Sequence, residues 1–471
     1  MKPHFGQIRT EHCFIPAMLQ SQTNCRARND TGWHRPTHFP TTTQKGRTIL
    51  IESMSPVVRV RILTSFLGRM SSSMIYPFLA IYYAKYVGVQ IAGAFLMMHV
   101  ATSFGASLFG GHLADTWGRK RVLLAGDSVK VLAFLGIVMA NAPWGRWEGS
   151  VWITFVLLLA VSVAGGLSAP AAEAILIDAS TPESRKSMYA INYWATNLSI
   201  MLGATIGAWL FADNFLLLLT GLFLMSLVTF LMDKYLIQDE FRPKIEVIAG
   251  ESKLRQLIAS YRSASRNAPF MWFTAAGVSI LIVEFQRNDY LSIRLAQDLA
   301  IQNLTFWNGR SIELNGVKLF GFITFVNTFL IVLLGIPFSH LIRNVPVKLA
   351  MYIGFLLFGL GYALLAYASA PLILVAAAVI LTIGELLYEP TRQAAMADFI
   401  DDERRGIYLA VNGMVFQAAR WFSAGLVIFS PWLGNIGLGV TYLLLAFLAV
   451  FLSSVAFHRR LTRVAHTLTE G

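Results

Sequence analysis

The sequence predicts an all-α membrane protein with twelve transmembrane helices, arranged as two six-helix bundles related by a pseudo-two-fold axis. Three observations carry this: an apolar composition, repeated apolar runs of bilayer length, and an internal repeat linking the two halves. Of 471 residues, 55% are hydrophobic and only 14% charged, where soluble proteins carry about 25%. A helix crosses the bilayer core with about 20 apolar residues, and runs of that length recur along the chain.

Residues 1–53 are polar and rich in Thr, Arg and His. No run there is long enough for the apolar region of a signal sequence. They predict a disordered extension, or one standing ahead of a true start at Met54. Both cysteines, Cys13 and Cys25, lie in it, so the membrane part has no thiol for a disulfide or a metal. The first bundle, 54–236, is expected to hold helices near 62–84, 91–113, 122–141, 150–172, 188–211 and 215–236. Residues 237–268 are polar and basic, with Arg242, Lys244, Lys253, Arg255, Arg262 and Arg266, and read as a cytoplasmic linker. The second bundle, 269–471, is expected to hold helices near 270–295, 318–341, 348–368, 371–391, 406–429 and 437–457, followed by a cytoplasmic tail. Between helices 7 and 8, Asn308-Gly309 and Asn315-Gly316 flank short mixed runs, which suit either a small hairpin on the outer surface or a plain polar loop.

Across the loops after helices 4 and 10 the halves match. Pro170, Ala174, Asp178, Glu183, Arg185, Ala190 and Asn192 recur as Pro390, Ala394, Asp398, Glu403, Arg405, Ala410 and Asn412, always 220 positions on. A repeat of six-helix units explains this, and parallel halves of this kind place a substrate site at their interface. Lys and Arg crowd the alternate loops that include Arg119–Arg121, the linker and the tail, which puts both termini in the cytoplasm of a cell that carries the protein in its plasma membrane. The formal charge of +12 is accounted for by these loops and calls for no nucleic acid. No Gly-x-Ser-x-Gly or phosphate-cradling loop is present. His99 and His112 are too isolated to read as metal ligands. Neither an enzyme nor a metal site is expected.

Ionisable side chains inside spans cost about 2.5–3.5 kcal/mol each on insertion scales and demand a reason. Arg69 shares a helix face with Ser65, Ser72, Ser73 and Tyr76, a polar stripe suited to a central cavity or to an Arg bound by helix-end carbonyls. Helix 10 carries Glu385, Glu389 and Arg392 on one face, with Pro390 between them. Glu389 and Arg392 suit a plain ion pair, and Glu385 a cavity role. Removal from water penalises a carboxylate's charged form, which fits a group for proton exchange. Glu173 lies near the inner end of helix 4. Glu284, Gln286 and Arg287 lie in helix 7, where Glu284 and Arg287 suit either the cavity or a local pair. Asp127 and Lys130 read as a local pair. Arg420, with no local partner, is left to a helix 10 carboxylate or the inner vestibule.

The segment Gly111-His112-Leu113-Ala114-Asp115-Thr116-Trp117-Gly118-Arg119-Lys120 reads as a short charged turn between helices 2 and 3. It resembles the signature loop of the major facilitator superfamily of secondary transporters. The resemblance runs from near Arg61 to Arg463 and is strongest for the drug:proton antiporter branch, including its MdtH-like multidrug-resistance members. It implies that helices 1, 4, 7 and 10 line the cavity, and that Asp115 meets the amino end of helix 11. It also implies that Arg119 pairs with Asp178, with Arg343 and Asp398 as the second-half equivalent. That branch typically has a Gly-Pro pair in helix 5; here Leu202-Gly203-Ala204-Thr205-Ile206-Gly207 keeps the small residues without the proline. The resemblance implies a monomer without cofactor, driven by the proton gradient, exporting drug-like or amphipathic small molecules from the bilayer or cytoplasm in exchange for protons. A uniporter or symporter of one metabolite is the alternative, and a transport-dead sensor a remote one.

Overall fold

The computed structural model describes residues 55–143, 149–237, 265–299, 302–305, 311–400 and 405–469. The expected extension 1–53 and nearly all of the linker 237–268 lie outside the described residues. The first half comprises α1 (Pro56–Val87), α2 (Val89–Trp117), α3 (Arg119–Asn141), α4 (Ser150–Asp178), α5 (Pro182–Asp213) and α6 (Phe215–Leu236). The second comprises α7 (Ala268–Asp298), β1 (Gln302–Thr305), β2 (Ser311–Leu314), α8 (Gly316–Leu341), α9 (Val347–Tyr367), α10 (Pro371–Ala397), α11 (405–433) and α12 (435–469).

Side chains set several helix starts. Ser55 caps α1 by accepting from the Val58 N–H at 3.3 Å, with Pro56 opening the first turn. Thr181 and Ser184 form a reciprocal capping box at α5. Asn214 and Asn315 accept from Leu217 and Lys318 at 3.0 and 2.9 Å to start α6 and α8. Glycines make the sharpest reversals. Gly88, Gly118 and Gly434 have φ of 85°, 96° and 62°, a region costly for residues with a Cβ. The presumed turn Gly111–Lys120 is therefore shorter than the sequence suggested. α2 runs helical through Trp117, Gly118 alone turns the chain, and Arg119 opens α3.

Among the described residues, ten continuous helical stretches have the length and hydropathy to cross a membrane. One of them, Val411–Thr462, has 52 residues, about 78 Å of helix against a core of about 30 Å. Its break at Gly434 resolves it into two passes, α11 and α12. α1 is not among the ten, because Arg61, Arg69, three successive serines and several tyrosines dilute it. Between α7 and α8 the hairpin alternative is the one adopted: β1 and β2 pair antiparallel, with Thr305 opposite Ser311 and Gln302 opposite Leu314.

Small residues let helices approach. Gly203 and Gly207 of α5 lie against the Met70 and Met74 carbonyls of α1, where a Cβ would come within 2.6 Å of each. Ala204 and Ala208, on another face of α5, meet Gly321 of α8. This is the small-x-x-x-small packing of membrane helices used twice on one helix. The halves join through that α5–α8 seam and through Gly93 of α2 against Ala424 and Ile428 of α11. A Phe78–Phe320 edge contact at 5.9 Å and a Lys318–Asp213 ion pair at 2.8 Å complete the junction. These contacts all lie toward the Gly88 end of the molecule.

Candidate functional site

At the Gly118 end, the sequence-predicted latch residues take distinct places. Arg119 forms an ion pair with Asp178 and donates to the Ala174 carbonyl at 3.3 Å, tying the start of α3 to the end of α4. Lys120 donates to the Ile237 carbonyl at 2.6 Å and so closes the end of α6. Asp115 is exposed on the last turn of α2; of the first turns of α11, its expected partner, the side chains of 405–407, 409 and 410 lie outside the described residues. Gly111 has open space around it and is not a close-packing position. In the second half, Asp398 was expected to meet Arg343. Asp398 pairs with Arg460 of α12 at 3.3 Å, because α12 continues past the bilayer end of its neighbours and brings a guanidinium there. The Arg343 side chain lies outside the described residues.

The polar stripe of α1 opens on a cavity of about 430 Å³ inside the first half. Ser65, Arg69, Ser72 and Tyr76 line it with Glu173 of α4. Ser73 departs from the stripe and packs against Gly203 of α5. Deeper groups that the sequence reading passed over also line this cavity. Arg61 and Asp233 pair at 2.8 Å, with side chains 5% and 1% exposed, and join α1 to α6. Beside them Lys130 pairs with Asp127 at 3.0 Å, the local pair expected. Asp233 had a legible signal: an acidic residue in an otherwise apolar span.

The second-half candidates form a separate cluster at mid-depth, and none of them lines the first-half cavity. The Tyr388 hydroxyl donates to Glu284 Oε2 at 3.0 Å, and the Tyr362 hydroxyl to the Glu284 backbone carbonyl at 3.2 Å. Asn327 of α8 bridges two charges: its amide nitrogen donates to Glu385 Oε2 at 3.0 Å, and its oxygen accepts from Arg287 at 2.6 Å. Glu284 and Arg287 are thus not a local ion pair. A π turn at Arg287–Leu291 shifts the helical register and sends Arg287 to α8 while Glu284 faces α10. Glu389 and Arg392 do pair, at 3.0 Å, and Gln393 donates to Glu389 at 2.7 Å.

Gln286 is not a cavity residue. It is wholly buried, donating to the Ser423 carbonyl and hydroxyl at 2.7 and 2.9 Å and accepting from Tyr442 at 3.1 Å. These bonds lock α7 to α11 and α12, and the Ser423 hydroxyl donates onward to Asp289 at 2.6 Å. Arg420 is exposed on α11, its guanidinium 5.7 Å from the centre of the Phe285 ring, rather than paired with a helix 10 carboxylate. His99 is held by Tyr83 at 3.0 Å and Ser162 at 2.9 Å, a satisfied core histidine joining α1, α2 and α4.

Membrane-spanning helices in two halves, joined at one end and carrying charged groups at mid-depth, define a membrane transporter rather than an enzyme. The sequence model of the Major Facilitator Superfamily matches residues 62–292. A Na(+), Li(+), K(+)/H(+) antiporter of Planococcus maritimus is 25% identical over 407 residues, covering 85% of this chain and 95% of that protein. A multidrug resistance protein MdtH of Baumannia cicadellinicola subsp. Homalodisca coagulata is 24% identical over 380 residues, covering 77% and 81%. Among solved structures, the peptide transporter POT in complex with sulfate shares the fold with a TM-score of 0.66 at 16% identity, over 88% of this chain and 98% of that one. The POT family transporter PepTSo does so with a TM-score of 0.60 at 13% identity, over 88% and 98%.

Proposed function

We propose that this transporter exchanges protons for cationic amphipathic molecules and exports them by alternating access. The observation that carries this is the mid-depth set Glu284, Glu385 and Glu389 with Arg287 and Arg392. Its carboxylates outnumber its guanidiniums, so when all are ionised the set carries net negative charge that a cationic solute or a proton can neutralise. The two relatives named above support the reading, one called a cation/proton antiporter and the other a multidrug resistance protein.

Placing the Gly118 end in the cytoplasm of the plasma membrane follows the crowding there of Arg59, Arg119, Lys120, Arg121, Lys348, Arg459 and Arg460. With that orientation, the halves joined near Gly88 form the inward-open state. Asp115, Gly118, Arg119 and Asp178 then belong to a latch that closes when the halves rock to the outward-open state. Arg69, Tyr76, Glu173 and Arg420 take part in admitting solute from the cytoplasmic side.

Purified protein in vesicles with an imposed pH gradient tests the reading. A lipophilic cation such as tetraphenylphosphonium should move against its own gradient, toward the side with more protons, and stop when the gradient is dissipated. Uptake indifferent to the pH gradient would contradict it. An alkali-cation reading rests on the Planococcus relative's name. It predicts that sodium, lithium or potassium, and not the organic cation, collapses the gradient in the same vesicles.

A further inference from the structure

The first-half cavity holds an arrangement that the second-half carboxylates do not explain. Asp127 of α3 and Asp233 of α6 are 4% and 1% exposed, and both line the cavity. Each spends one oxygen on a cation: Asp127 Oδ1 on Lys130 at 3.0 Å, Asp233 Oδ2 on Arg61 at 2.8 Å. The other two oxygens, Asp127 Oδ2 and Asp233 Oδ1, are shut off from solvent and receive no protein donor. The two carboxyls stand on neighbouring helices and line the same cavity. Carboxylate oxygens are acceptors only, so these two stay unsatisfied until a proton or another donor reaches them. A buried acceptor left in that condition is costly.

We propose that Asp127 and Asp233 form a proton-binding site of the first half, holding one proton shared between the two carboxyls and exchanging it with the Gly118 side through the cavity. The step is an association alone. One proton arrives from solution, no other bond forms or breaks, and the set Arg61, Asp127, Lys130 and Asp233 goes from neutral to singly positive. Other charged or titratable groups face the cavity from the packed helices: Arg69 and Tyr76 of α1, Glu173 of α4 and Tyr189 of α5. The cations Arg61 and Lys130 oppose loading, and the orphaned oxygens favour it. The site is therefore suited to release as well as to binding. Its part in transport rests on the proton-coupled reading above; its existence does not.

Infrared difference spectra of the purified full chain in detergent, acidic minus alkaline buffer, count protonated carboxyls without any transport. A component of the protonated-carboxyl band should vanish in Asp127→Asn and equally in Asp233→Asn. The double variant should lose no more than either single one, since one proton belongs to the pair. Glu385→Gln should leave that component in place. Asp127→Glu, which keeps the acid but changes its reach, should shift the component and serves if an Asn variant does not fold. A band unchanged by the Asp127 variants overturns the proposal. So does a component abolished by sodium or potassium chloride at constant pH, which would assign the gap to an alkali cation. If the component behaves as expected but the wild type ignores a pH gradient, the transport reading fails and the site stands.

Discussion

A single methyl group should move the conformational equilibrium of this transporter. Gly321 of α8 faces Ala208 of α5, and a Cβ at position 321 would overlap the Ala208 Cβ. That atom is fixed to the α5 backbone, so no side-chain rotation relieves the clash. Gly321→Ala thus forces the helices apart at the seam that joins the halves. Overpacking of this kind costs about 1–3 kcal/mol, and the arrangement in which the halves part at the Gly88 end escapes the cost. A difference of that size is about a 5- to 150-fold change in the ratio of the two states. Spin labels at Leu217→Cys and Leu372→Cys, 53% and 81% exposed at that end of the two halves, would report it once Cys13 and Cys25 are replaced. Pulsed electron resonance distances should show a longer population growing in Gly321→Ala. Gly221→Ala, with open space around its Cβ position, should match the parent. An unchanged distance distribution in a folded Gly321→Ala protein would refute the assignment of this seam as a gate.

Other substitutions give separable outcomes. Lys318→Gln or Asp213→Asn should move the same distances in the same direction but less, since a pair with Asp213 55% exposed is worth about 0–1 kcal/mol. Asp233→Ala leaves the Arg61 guanidinium buried without its partner and should cost about 3–5 kcal/mol, read as a lower unfolding temperature in detergent; the double change Arg61→Leu with Asp233→Leu should recover most of it. Gln286→Leu strands the Ser423 and Tyr442 groups that it satisfies, at about 1–3 kcal/mol, and should lower the unfolding temperature while leaving the residual transport proton-coupled. Glu385→Gln removes the net negative charge of the second-half set, so it should weaken binding of a lipophilic cation and abolish its movement against a pH gradient, whichever way the gradient is imposed.

The helices and the two halves were legible because each depends on local pattern, bilayer-length apolar runs and a fixed offset of 220, while the Arg119–Asp178 pair followed from the resemblance carried by the loop motif. What escaped depends on how helices turn against one another. The π turn after Gln286 displaces the register by one residue, so spacing alone matched Glu284 with Arg287 when the fold separates them. Arg460 reaches Asp398 because α12 is carried past its neighbours beyond the break at Gly434. Arg61, near the start of the first span, lies buried against Asp233 rather than in a loop. A basic residue near a span end suits either place, and only the neighbouring helix decides which. The candidate cavity residues were found as residues but not as one site, since those on α1 and α4 and those on α7 and α10 belong to different halves.

Solute and proton should move in opposite directions through one alternating cycle. Vesicles holding a pH-sensitive dye and a preformed gradient, acidic inside, test it most directly when tetraphenylphosphonium is added outside. Protons should leave as the cation enters, at a fixed ratio, and Glu385→Gln should abolish both movements together. Cation entry without proton exit, or proton exit indifferent to the cation, would contradict it.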